Sequence, residues 1–324
     1  MAEQRKRFLS GVQPSGIIHL GNYFGAMREH IALQDEGEAF YFIANYHALT
    51  TLRNPQQLRQ NTFDTAVAYL ACGLQPDKAC LFPQSDVPEV AELTWLLMTV
   101  TPMGLLQRAV SYKDKVERGL PTDAGLFNYP VLMAADILAY DSDVVPVGQD
   151  QVQHVEMTRD MATAFNQTFG EVFKLPTYRL GSAPYVPGVD GAKMSKSYGN
   201  TIGIFATGEP LRKIVMSIKT DSTPVEDAKD PLKDTVYQLY ALVASPDERD
   251  ALAARYRAGG MGYGEAKKLL YEKLEAYFAD FRARRDEWAR HPDRVEDVLR
   301  IGAERARGEA QRTLDRARRA CGLT

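Results

Sequence analysis

The 324-residue sequence predicts an α/β fold: a doubly wound parallel sheet covered by helices, followed by a smaller C-terminal domain that is all-helical. Three observations carry this expectation. Short apolar runs alternate with longer amphipathic segments over the first two hundred residues, the pattern of strand–helix–strand units in a parallel sheet. Strand signals of comparable quality stop at about residue 205, and helical periodicity dominates from Pro231 onward. The length suits two domains, and 45% hydrophobic with 25% charged residues is a globular balance that excludes disordered, collagen-like and coiled-coil classes.

Each element follows from local chemistry. Residues 8–12 are apolar apart from Ser10 and stop at Gln13-Pro14-Ser15-Gly16, a strand running into a turn. Residues 40–44, 79–82 and 144–147 are further buried-strand candidates. Helical patterns occupy 22–36, 55–72, 88–100, 130–140 and 150–169, with Pro55 and Pro130 read as first-turn prolines. Beyond residue 205, Gly259-Gly260-Met261-Gly262-Tyr263-Gly264 separates two helical blocks. The expected division is 1–205 for the sheet domain and 206–294 for the helical one. A C-terminal helix over 295–324 is free to fold back onto the first.

Composition narrows the function classes. A net charge of −3 and a pI near 6.0 leave no overall basic field, so any nucleic-acid contact has to come from a local patch. One candidate is 281–324, where twelve arginines face eight acidic residues; it reads either as a solvated helix face or as a polyanion contact. Cys72, Cys80 and Cys321 are odd in number and lack zinc-site spacing, which suits reduced thiols in a cytoplasmic protein. The longest run without a charged residue, 8–27, carries Gln13, Pro14, Ser15, His19, Asn22 and four glycines, too polar for a membrane span. Arg5-Lys6-Arg7 is not followed by the apolar core of a signal peptide.

Two motifs carry chemistry. Gln13-Pro14-Ser15-Gly16-Ile17-Ile18-His19-Leu20-Gly21-Asn22 lies between the first strand and the first long helix, where a doubly wound sheet binds its ligand. Gly16 and Gly21 permit close backbone approach to phosphate, the helix beginning near Asn22 favours anions at its start, and His19 supplies a donor for phosphate oxygens. The alternative is a tight turn with a hydrogen-bonded surface histidine. This is not a P-loop, because the Lys-Ser/Thr ending is missing. The second motif, Lys193-Met194-Ser195-Lys196-Ser197, follows a loop rich in turn formers. Two lysines three residues apart converge on one triphosphate and meet the charge that migrates onto a departing pyrophosphate. Alone, such a pair is ordinary solvated surface.

In this order the two motifs resemble the HIGH and KMSKS signatures of class I aminoacyl-tRNA synthetases. Leu132-Met133-Ala134-Ala135-Asp136-Ile137-Leu138, Val145-Pro146-Val147-Gly148-Gln149-Asp150-Gln151, Thr158-Arg159-Asp160, Thr220-Asp221-Ser222 and Gly262-Tyr263-Gly264 narrow the resemblance to the bacterial tryptophanyl-tRNA synthetases, over essentially the whole chain. The resemblance implies a Rossmann-type catalytic domain. It implies activation of L-tryptophan with ATP and Mg²⁺ to tryptophanyl-adenylate and pyrophosphate, then transfer to the 2′ position of tRNA(Trp). ATP contacts are implied for Gln13, Pro14, Ser15, Gly21, Asn22, Gly148, Gln149, Asp150, Lys193, Met194, Ser195, Lys196 and Ser197. His19, Lys193 and Lys196 are implied as catalytic groups, with Lys115 assisting from the loop before Gly119, and 184–186 touching adenine through backbone. Tyr129, Met133, Asp136, Ile137 and Gln151 are implied for tryptophan. The family pattern also implies a cytoplasmic homodimer with no protein-held metal, and a helical region reading the anticodon; neither membrane nor DNA is a partner.

Two departures stand out. Gln149 occupies the place of a glutamate in the usual Gly-Glu-Asp-Gln, which alters the charge near ATP and the amino acid's ammonium group. His19 stands where many bacterial members carry threonine, and Asn22 replaces the second histidine of HIGH. Neither removes a nucleophile, because the reaction uses none from the enzyme.

Asp136 carries the specificity argument. Tyr129, Met133, Asp136 and Ile137 fall at i, i+4, i+7 and i+8, one stripe of a helix. Asp136 is the one charge between Gly125 and Tyr140, and burying an unpaired carboxylate is costly. A carboxylate only accepts and an indole N–H only donates; sites matched in this way reject analogues by roughly 10⁴–10⁵-fold without editing. Otherwise Asp136 caps a helix or pairs with an arginine. The competing functions are a tyrosyl-tRNA synthetase, a small-molecule nucleotidyltransferase of the HxGH type, and a second-copy paralogue with a binding or regulatory role.

Overall fold

The computed structural model describes residues 5–119, 122–181 and 184–324. In chain order the elements are β1 (Arg7–Val12), α1 (Leu20–Asn22), a π-helical turn (Tyr23–Met27), α2 (Arg28–Leu33), β2 (Glu38–Ile43), α3 (Asn45–Ala48), α4 (Pro55–Ala71), β3 (Ala79–Pro83), α5 (Glu89–Met98), α6 (Met103–Gln107), α7 (Val110–Glu117), α8 (Ala124–Leu138), β4 (Val144–Val147), α9 (Val152–Phe169) and β5 (Thr177–Leu180). The remainder is α10 (Gly208–Met216), α11 (Thr235–Val243), α12 (Pro246–Ala258), α13 (Tyr263–Tyr277), α14 (Ala279–Arg290) and α15 (Pro292–Ala320). The chain divides into two units, 1–16 with 30–181 and 288–324, and 17–29 with 182–287. Among the described residues no helix is long and apolar enough to cross a membrane.

The first unit is built on a parallel five-stranded sheet in the order β3-β2-β1-β4-β5. β2 and β3 are apolar and almost wholly buried, as strands covered on both faces must be. Gly11 of β1 makes room for a neighbour's ring: a Cβ there would lie 2.4 Å from Phe42. The strand order reverses between β1 and β4, and this switch point is where a doubly wound sheet opens a crevice for ligands.

Two local expectations fail for identifiable reasons. β5 was absent from the expected strands because all four of its residues are exposed, so no apolar alternation marks it; its ladder with β4, Val144↔Thr177 to Val147↔Leu180, defines it instead. Pro130 is not a first-turn proline. Asp123 caps α8, its Oδ1 accepting from the Leu126 amide at 2.8 Å, so the helix starts earlier and carries Pro130 inside it. Burial of Leu126 together with Pro130 and Val131 keeps this stretch helical despite the missing donor.

The second unit begins at 182, earlier than the division expected at 205. The loop after 184 bonds to the 17–29 segment rather than to the sheet: the Leu20 amide donates to the Ile202 carbonyl at 2.9 Å, and the Ile204 amide to that of Ile18 at 3.0 Å. Rings of Tyr23, Phe278 and Phe281 pack edge to face within it, with centroids 5.4 Å and 5.6 Å from Tyr23.

Helix α15 packs back onto the first unit along β3 and α5. Arg307 pairs with Glu89 at 2.9 Å and Arg318 with Glu92 at 2.8 Å. Gly302 lies so close to β3 that a Cβ would sit 2.1 Å from the Leu81 carbonyl oxygen. Replacing a mid-helix glycine by alanine ordinarily gains about 1 kcal/mol, but overpacking costs about 1–3 kcal/mol and here the obstacle is backbone that cannot rotate away. Gly302→Ala is therefore expected to destabilise the protein, by about 2 kcal/mol; urea unfolding measures it, and a variant as stable as wild type contradicts this packing.

Candidate active site

In the first unit, β1 and β4 are neighbours and both run toward the switch point, so the loops that follow them, 13–16 and 148–151, leave the same edge of the sheet. The first loop is fixed from below by Asn61 of α4, whose Nδ2 donates to the Pro14 carbonyl at 3.1 Å. Gly16 then takes φ +81°, a left-handed turn that a side chain would strain. In the second loop, Gln149–Gln151 form a 3₁₀ turn with Gln149 and Asp150 exposed, and Gln151 Nε2 donates to Asp150 Oδ2 at 3.0 Å.

The same unit holds the expected amino-acid residues. Tyr129 and Leu132 of α8 line a cavity of about 580 Å³ together with His47, Tyr46 and Thr50. Met133 is half-buried against the hydrophobic core and Ile137 lies within it; neither of them lines this cavity, and nor does Asp136. Asp136 is 1% exposed. Its partners are neither an arginine nor a helix end: His47 Nε2 lies 2.8 Å from Oδ2, and Gln84 Nε2 lies 2.9 Å from Oδ1 and 2.8 Å from Oδ2. Burial pushes the carboxyl pKa up, and the hydrogen bonds from His47 and Gln84 oppose that. The Tyr129 hydroxyl shares a 2.7 Å hydrogen bond with His154 Nε2, and burial lowers the pKa of that imidazole.

In the second unit, His19 is buried and its backbone N–H donates to Asn22 Oδ1 at 3.1 Å. Desolvation, with the nearby charge of Lys196, lowers the imidazole to about 4, so it is neutral at pH 7. Its buried Nδ1 has no hydrogen-bond partner among the described residues. The helix expected near Asn22 instead opens at Leu20 as a single turn and passes into the π-helical turn, which shortens the array of amides invoked for anion binding. Gly21 lets the ring come close, since a Cβ would lie 2.9 Å from Nδ1.

The Lys193–Ser197 loop belongs to this unit as well. Met194 is its buried anchor, its amide donating to the Val186 carbonyl at 3.0 Å. Lys193 and Ser197 are exposed, while Lys196 is half-buried and desolvated to a pKa of about 8. Asn200, itself buried, ties the loop together: Oδ1 accepts from the Ser195 amide at 2.8 Å, and Nδ2 donates to Asp190 Oδ1 at 2.8 Å and the Lys193 carbonyl at 3.2 Å. Lys115 falls in α7 rather than in a loop, and its side chain lies outside the described residues.

Sequence reasoning missed His47, Gln84, Asn61, His154 and Asn200. A usable signal existed for two of them. Gln84 is the first residue after β3 and His47 stands one turn past β2, both at carboxyl ends of parallel strands, where a doubly wound sheet places its ligand contacts.

A family model described as tRNA synthetases class I (W and Y) matches residues 1–279. The chain is 58% identical to the tryptophan–tRNA ligase of Rhodopirellula baltica, over 98% of this chain and 99% of that one. It is 52% identical to the tryptophan–tRNA ligase of Fusobacterium nucleatum, over 98% of each. The crystal structure of tryptophanyl-tRNA synthetase from Campylobacter jejuni, complexed with ADP and tryptophan, matches with a TM-score of 0.92 at 46% identity, covering 98% of this chain and 100% of that one. On this match, the chain belongs to the class I tRNA synthetases of the tryptophan and tyrosine type.

Proposed function

We propose that this chain ligates L-tryptophan to tRNA(Trp) in two steps. Near end-to-end likeness to tryptophan–tRNA ligases, one of them solved with ADP and tryptophan, carries the reading. In the first step a tryptophan carboxylate oxygen attacks the α-phosphorus of ATP in line, the bond from that phosphorus to the bridging oxygen breaks, and pyrophosphate leaves. In the second, the 2′-hydroxyl of the terminal adenosine attacks the acyl carbon and AMP departs. Such chemistry is mostly positioning and charge stabilisation.

Roles are assigned to residues as follows. Gln13, Pro14 and Ser15, with Gly148, Gln149 and Asp150, flank the switch point and meet the nucleotide. Gln149 is neutral where the family pattern has glutamate, so it positions by hydrogen bonding alone. His19, being neutral, offers a hydrogen bond and no charge to phosphate oxygens, with Gly21 and Asn22 shaping the approach. Lys193 and Lys196 receive charge moving onto pyrophosphate, with Met194, Ser195 and Ser197 setting the loop and Lys115 assisting. Asp136 accepts from the indole N–H, with Tyr129 and Met133 building the ring's surroundings, Ile137 backing them from the core and Gln151 reaching the ammonium group. Mg²⁺, implied by the resemblance, would come with the triphosphate and would help neutralise charge on it. The arginines of 281–324 and the helical region meet tRNA. The family resemblance implies a homodimer, set in the cytoplasm.

Two measurements check this reading. ATP–pyrophosphate exchange is expected with tryptophan and to be about 10⁴-fold weaker with tyrosine; robust tyrosine-dependent exchange overturns the assignment. Lysine ordinarily titrates near 10.5, and Lys196 at about 8 loses its proton as pH rises past that value. The kcat/KM for ATP is therefore expected to fall above pH 8, by about tenfold per unit. In Lys196→Arg the plateau drops but the decline disappears; a decline that persists in the variant removes Lys196 as its cause.

A further inference from the structure

Gln84 takes part in none of the sequence motifs, yet it is 1% exposed and its carboxamide is committed at both ends. Oε1 accepts from the backbone amides of Tyr46 at 3.0 Å and His47 at 3.4 Å, in the single turn of α3. Nε2 faces Asp136, 2.9 Å from Oδ1 and 2.8 Å from Oδ2. The amide cannot be turned end for end: its oxygen would then oppose a carboxylate and its NH₂ would oppose two N–H groups. The backbone of α3 thus decides which end Asp136 meets. With His47 Nε2 on Oδ2 at 2.8 Å, two donors hold the carboxylate, and its roughly four acceptor positions leave room for one more.

We propose that Gln84 is a specificity-determining positioning residue: it clamps Asp136 as a fixed, acceptor-only group and thereby sets the preference for an indole over a ring that lacks a donor. This rests on the reading of Asp136 as the acceptor for tryptophan. Burial alone favours the neutral acid, which presents an O–H as well as a carbonyl and discriminates poorly. Gln84 opposes that change without adding a titratable group of its own. The titratable groups around the carboxylate are His47 of α3 and Tyr140 after α8, with Glu89 of α5 near Tyr140 and His154 of α9 near His47.

The test uses the full chain, ATP–pyrophosphate exchange, and two amino acids: tryptophan and 3-benzothienylalanine, which keeps the shape but has sulfur in place of the N–H. Gln84→Met is expected to raise KM for tryptophan about tenfold to a hundredfold, leave kcat within about threefold, and cut the preference over the sulfur analogue about tenfold. Equal losses for both amino acids, with the preference intact, make Gln84 a space-filling residue and overturn the proposal. Gln84→Glu, nearly isosteric, keeps the question answerable if the Met variant does not fold. There two carboxyls face each other and share a proton, so KM for tryptophan, taken relative to wild type, is expected to rise as pH increases from about 6 to 9; a pH-independent ratio overturns the proposal. A wild-type protein that itself shows no preference for tryptophan over the sulfur analogue refutes the Asp136 reading and this proposal together. An intact wild-type preference with unchanged variants refutes the role of Gln84 alone.

Discussion

One buried carboxylate constrains the first unit more than any other group. Asp136 sits in α8 with almost no access to water, so every donor it needs must come from protein or ligand. The fold supplies two, each from a segment that leaves the carboxyl end of a buried strand: His47 beyond β2 and Gln84 directly beyond β3, the sheet's edge strand. Their placement depends on the sheet keeping its register, since β2 and β3 pair from Ala39↔Ala79 to Ile43↔Pro83. A slip of one residue would turn Phe40 and Phe42 to the opposite face of the sheet and carry the two donors away from the carboxylate.

The nucleotide-side residues obey a different economy. In the first unit the two loops at the switch point are held by backbone geometry and by Asn61. In the second, His19 and Lys196 are partly withdrawn from water, and both respond by favouring their neutral forms. A histidine that stays neutral donates without repelling a nearby lysine. A lysine with a lowered pKa gains the most from an arriving polyphosphate, because the anion restores the charge that burial penalises.

Much of this was legible in the sequence. The strands that are buried on both faces declared themselves as apolar runs, and the two motifs, each ambiguous alone, were legible together because their order resembles a known pair of signatures. Asp136 stood out as a charge in an apolar helix. What was hidden has a common cause: each missing feature depends on partners distant in sequence. β5 exists only through its ladder with β4. The early start of α8 depends on Asp123 outweighing the signal of Pro130. His47 and Gln84 mark the ends of strands, but their meeting at Asp136 arises only when the sheet brings them to α8. Asn200 lies three residues past the second motif and proves to be the side chain that holds its loop. The boundary at 182 was invisible because the loop's hydrogen bonds go to 17–29, far back along the chain.

Helix α15 gives this architecture an order in time. Its apolar face, including Val295, Ala303, Ala306, Ala310 and Leu314, is buried in the first unit, and β3 lies directly beneath Gly302. During translation the sheet emerges from the ribosome long before this covering. Until α15 arrives, one flank of β3 is left wet and greasy in the nascent polypeptide, a state that invites chaperones or neighbouring chains. Completion of this lobe waits on a segment made after the whole of the other one.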